Sequence, residues 1–305
     1  MPHLRPRSAF FAFLFLSSFG AVAQTATPQL TLVPSHERAP EASQAPALDL
    51  AVTRFAGMAS GSYYWPEGLL AEQLISGLAA RSDRKQQALP DGQRLLSSYR
   101  RPYGGSERAA VLVDDRSGDV LAAALVHRSC GKNSSSTGCL DDQHAVLSVF
   151  LRPGFDRAKA QPLVAWSRQV PESLQGGEGV GEKIATTEYV VMDAASTAAR
   201  PIVRPNKAFP AQVPLYPKAL IYGTAQDALS DAKARRVLRL QTVDTPEQVL
   251  AFYKQLSPPL KDIQSDLDGR NGFIAGSRNG LSFSVNTTVP RDMPAITNIE
   301  VEISE

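Results

Sequence analysis

The sequence predicts an α+β protein of two domains, each a mainly antiparallel sheet with one or two packed helices. Three observations carry this. Four short runs rich in Val, Leu and Ala lie between residues 94 and 151, separated by turn residues. After residue 237, a capped amphipathic helix and an Asn-Gly turn are set among alternating runs. Neither half has the strand–helix–strand alternation of a parallel nucleotide-binding fold.

In the first domain, residues 51–200, Leu70, Leu74 and Leu78 recur four apart with Ala71 and Ile75 beside them, which predicts a helix over Glu67–Ala80 entered at Pro66. Strands are expected at Arg94–Tyr99, Ala109–Asp114, Val120–Arg128 and Ala145–Leu151. Asp115-Arg116-Ser117-Gly118 turns the second into the third, so the last three form an antiparallel meander. Phe155–Val170 reads as a helix that Pro162 kinks or delays; a glycine-rich loop, Gln175–Gly181, then leads to a strand at Thr186–Met192.

The second domain, residues 205–305, opens with a strand at Val237–Val243. Thr245-Pro246-Glu247-Gln248 then combines an N-cap, a proline at the first helical position and a capping-box glutamine. Val249, Phe252, Tyr253 and Leu256 follow on one helical face, and Pro258-Pro259 ends it. Phe273–Gly276 and Leu281–Val289 flank the hairpin signal Asn279-Gly280, and Ile296–Ile303 alternates as a last strand, giving a β-α-β-β-β order.

Residues 1–23 have the parts of a secretory signal peptide: Arg5 and Arg7, the apolar run Ala9–Leu16, then Ala21-Val22-Ala23 before a cut at Gln24. The apolar run is well short of the ~20 residues that span a bilayer, and no later stretch is long enough, so the mature chain is expected to be exported, periplasmic or secreted, without a membrane span. Residues 24–50 carry prolines at 28, 34, 40 and 46 among small polar residues and read as a disordered or polyproline-like leader. Cleavage removes two of the 32 basic residues and none of the 30 acidic ones, leaving the mature chain formally neutral. Neutrality argues against nucleic acid as a partner, because phosphate binding requires a basic surface. Cys130 and Cys139 enclose a Gly/Ser-rich loop and, in an exported chain, read as one disulfide that leaves no free thiol.

His127 and His144 are the only histidines in sequence expected to fold, and they bracket the cysteine loop. With Asp141 or Asp142 they form a candidate metal site; with both thiols they form a candidate zinc knuckle. Oxidised cysteines cannot ligate zinc and the spacing fits no standard pattern, so the favoured expectation is two polar strand-end histidines and no cofactor. Gly177-Glu178-Gly179-Val180-Gly181 lies between a helix and a strand, the reverse of a phosphate loop. Ser82-Asp83-Arg84-Lys85 matches Ser-x-x-Lys without its partner motifs. In Asp266–Gly272, Arg270 stands where a calcium loop needs an oxygen ligand, so a tight turn is expected. Asn133 and Asn286 open glycosylation sequons. Adjacent carboxylates at Asp114-Asp115 and Asp141-Asp142 point to opposite faces of a strand and make no catalytic pair. Tyr63-Tyr64-Trp65 reads as the edge of a packed core.

These readings favour a non-catalytic exported module that binds a protein or envelope component. The alternative is an exported hydrolase with a metal or carboxylate site near His127 and His144, drawing on Asp141 and Asp142.

Overall fold

Strands supply most of the regular structure. The computed structural model describes residues 44–79, 84–100, 107–128, 145–169, 184–202, 204, 209–222, 229–232 and 235–304. The expected signal peptide, the expected leader to residue 43, the cysteine loop with His144, Asp141 and Asp142, the glycine-rich loop and Ser82 lie outside the described residues.

The elements of the first half, in chain order, are α1 (Gln44–Ala56), β1 (Ser60–Gly61), β2 (Gly68–Leu69), α2 (Leu70–Gly77), β3 (Lys85–Leu89), β4 (Gln93–Tyr99), β5 (Arg108–Asp114), β6 (Val120–Arg128), β7 (Ala145–Leu151), α3 (Gln161–Ser167) and β8 (Ile184–Val191). Six strands form one sheet in the order β3-β4-β5-β6-β7-β8. The expected meander is present as β5-β6-β7, antiparallel throughout, whereas β8 joins β7 in parallel after the α3 crossover. Alternation splits the strand residues between two cores. Val111, Ala123, Leu125 and Phe150 face α1 and α2, and Leu112, Ala124, Leu147 and Val149 face α3. Burial on both faces explains why these strands read as near-continuous apolar runs.

Two expectations change here. Helix α1 begins at Gln44, inside the stretch that reads as a leader. Leu48, Ala51, Val52 and Ala56 recur at helical spacing and are all buried, which outweighs the Ala/Pro composition around them. Helix α2 starts at Leu70 rather than beside Pro66, because Ser60–Gly61 and Gly68–Leu69 first pair as a small hairpin.

The second half holds β9 (Leu220–Ile221), β10 (Leu229–Ala232), β11 (Arg235–Thr242), α4 (Pro246–Lys254), β12 (Lys261–Asp268), β13 (Asn271–Arg278), β14 (Leu281–Thr288) and β15 (Thr297–Ser304). The main sheet order is β10-β11-β15-β14-β13-β12, with β9 also on β11. Helix α4 covers one face over Leu238, Ile274, Phe283, Val285 and Val301. Its capping box forms as expected: the Gln248 amide N–H donates to the Thr245 hydroxyl at 3.4 Å, and the Thr245 N–H donates to Gln248 Oε1 at 2.8 Å. Thr245→Ala should therefore cost about 1 kcal/mol, read as a lower urea midpoint at unchanged slope. Asn279-Gly280 turns β13 into β14 with both residues at positive φ, 54° and 80°. The Asp266–Gly272 segment is the β12–β13 hairpin turn, with Asp268 opposite Asn271.

The two halves pack within one compact unit spanning Pro40–Glu305. Ile296 joins the core under α1 and α2, and Gln241 of β11 reaches Glu72 of α2. No helix among the described residues is long and apolar enough to cross a membrane.

Candidate functional site

His127 lies near the end of β6, 5% exposed, on the face that packs against α1 and α2. Its Nδ1 lies 2.9 Å from the Arg128 carbonyl and its Nε2 2.9 Å from Ser148 Oγ. A carbonyl only accepts, so Nδ1 carries the proton, and Nε2 accepts from the serine hydroxyl. Burial pushes the imidazole pKa down, opposed by the Arg128 carbonyl and by Glu188, so the ring is neutral near pH 7.

Ser148 stands on β7 with Glu188 as its register partner on β8. Tyr63, held in the turn between β1 and β2, sets its ring edge-on at 5.1 Å from His127 and 5.3 Å from Phe150. Burial raises the Tyr63 pKa, Glu188 adds to this, and Arg200 opposes it. The arrangement joins a hydroxyl, a neutral imidazole base and a carbonyl that fixes its tautomer, the parts of an activated nucleophile. Ser148 is, however, 0% exposed, so its oxygen is closed to a substrate carbonyl in this conformation.

Both nitrogens of His127 are committed, and a metal on Nε2 would displace the Ser148 hydrogen bond. Among the described residues no three His, Cys, Asp or Glu side chains group as a metal site. His144, Asp141 and Asp142, the partners the sequence suggests, are not among them. The Asp114-Asp115 pair serves its turn: Asp114 Oδ1 accepts the Arg116 and Ser117 N–H groups at 2.9 Å, which lowers its pKa, and Asp115 pairs with Arg94.

A second polar cluster, invisible in the sequence, sits where α2 meets the second sheet. Glu72 is 6% exposed and accepts from Gln241 Nε2 at 3.1 Å; the same amide donates to Asn298 Oδ1 at 3.0 Å. The other carboxylate oxygen, Oε2, is buried with no partner among the described residues. Burial pushes the Glu72 pKa up to about 7 against the hydrogen bond from Gln241 and the charge of Arg100, with Asp292 adding to the rise. Arg100 itself lies 2.6 Å from Glu107 and 5.0 Å from the Trp65 ring centre.

Neighbouring Gln73 is fully buried and secures the turn that carries Tyr63. Its Oε1 accepts the Tyr63 and Tyr64 N–H groups at 3.1 and 2.8 Å, and its Nε2 donates to the Gly61 and Gly68 carbonyls at 2.9 and 3.0 Å. Comparison with protein-family models, with curated proteins and with solved structures gave no match.

Proposed function

We propose that this is an exported, non-catalytic module that binds a protein or envelope partner through a strand edge, without cofactor or nucleic acid. The observation that carries the reading is β12. It is the outermost strand of its sheet, all eight of its residues are exposed, and Ile263 and Leu267 remain 46% and 43% exposed. An outer strand offers unpaired N–H and C=O groups to an added chain, and exposed apolar side chains supply the contact area. The sealed Ser148 supports the absence of catalysis, and the neutral mature charge supports the absence of nucleic acid.

The test places a photocrosslinking residue at Ile263 or at Leu267 in the full chain expressed in cells. A discrete adduct from both, abolished by Ser265→Pro, whose N–H faces away from β13, is expected; adducts at neither site would remove the strand edge as the contact. Fractionation with N-terminal sequencing should find the chain exported and starting at Gln24, and alkylation without reductant should find Cys130 and Cys139 blocked.

The second reading, a hydrolase, is favoured by one observation, the hydrogen bond from Ser148 to His127. Labelling of Ser148 by a fluorophosphonate, or stoichiometric zinc lost in His127→Ala, would establish it over the binding reading.

A further inference from the structure

A cavity of about 280 Å³ opens at the other end of the first sheet, between the last turn of α1, the start of β6 and the segment after β8. Phe55, Val120 and Met192 line its floor, with Val120 and Met192 buried. Arg54, Arg152 and Asp119 line its rim.

Backbone hydrogen bonds fix where the rim residues start. Arg152 N donates to Leu121 O at 3.0 Å, Met192 N to Leu151 O at 2.8 Å, and Asp114 N to Asp119 O at 3.0 Å. The side chains are less committed. Arg152 Nη1 donates to Asp119 Oδ2 at 3.3 Å, Arg54 stands 3.9 Å from Asp119 Oδ1, beyond hydrogen-bonding reach, and both guanidiniums are at least half exposed. Two guanidiniums thus face one carboxylate, which leaves one positive charge in excess beside an apolar floor.

We propose that this cavity is a binding site for a small monoanionic carboxylate with a short apolar tail. One excess charge matches one carboxylate, whose two oxygens fit the fork of an arginine. The floor then takes the tail out of water. At roughly 30 Å³ for each water volume, the cavity accommodates on the order of nine such volumes, the size of an eight-carbon chain with its head group. This site is independent of the β12 edge, so either can fail without the other.

The probe is octanoate, titrated into the full mature chain and followed by amide chemical shifts and calorimetry. Saturable binding is expected, with shifts at Phe55 and Met192. Acetate, which lacks the tail, and octanamide, which lacks the charge, should each bind about tenfold weaker or less. Arg54→Gln and Arg152→Gln should each weaken octanoate about fivefold, with circular dichroism unchanged. Asp119→Asn, which removes the internal competitor, should tighten it. The proposal is overturned by no saturable octanoate binding, by equal affinity for octanamide, by tighter binding of octyl phosphate, by weaker binding in Asp119→Asn, or by indifference to both arginine variants.

Discussion

Replacing Gln73 with leucine should destabilise the protein by roughly 4 kcal/mol. One side-chain amide satisfies four backbone groups of the 61–69 turn. Each buried donor or acceptor left without a partner costs about 1–3 kcal/mol, and partial access of water reduces the sum. Leucine has similar bulk, so the loss reports the polar contacts rather than a cavity. In a domain of this size the melting temperature should fall by about 10 °C. The effect should also be local: with the turn released, Tyr63 leaves His127, and the Ser148 region gains hydrogen exchange before the rest of the sheet. A variant with the parent's melting temperature would show that the amide contacts contribute nothing net.

Glu72→Gln should act in the opposite direction above neutral pH. The folded carboxyl titrates near 7 and the unfolded one near the ordinary 4.5. Between these values the folded state holds more protons, so stability is greatest at the acid side and falls as pH rises toward 7, by about 3 kcal/mol in total. Glutamine has no charge to bury, keeps an oxygen to accept from Gln241, and removes this fall. Urea unfolding at pH 5 and pH 8 should show the variant gaining on the parent by roughly 2 kcal/mol between the two pH values, the part of the pH dependence that Glu72 carries. An unchanged pH slope in the variant would mean that Glu72 is not the group responsible.

Local signals translated well into structure. The capping box of α4 and the Asn279-Gly280 turn are short-range devices, and both formed as their chemistry requires. Features that depend on a distant neighbour left less trace. Strand β12 shows no apolar alternation because all eight of its residues are exposed. The parallel docking of β8 is set by the α3 crossover, not by the composition of β8. Ser148 meets His127 only through the β6–β7 register, 21 residues apart in sequence. Glutamate and glutamine are ordinary residues on a helix, and nothing in the order Glu72-Gln73 announces that both are buried. That follows from the second sheet closing over α2, a long-range outcome.

The place of β15 in the second sheet has a consequence for how the molecule is assembled. It lies between β11 and β14, pairing with both, so a strand that follows all the others of its sheet in chain order joins the two halves of that sheet. Until residue 304 is available, β10-β11 and β12-β13-β14 each keep an open side, and α4 has only part of its apolar bed. Synthesis from the N-terminus can complete the meander β4-β5-β6-β7 early, but the second half must wait. A chain stopped before Thr297 would present two unmatched strand edges, on β11 and β14, prone to aggregation.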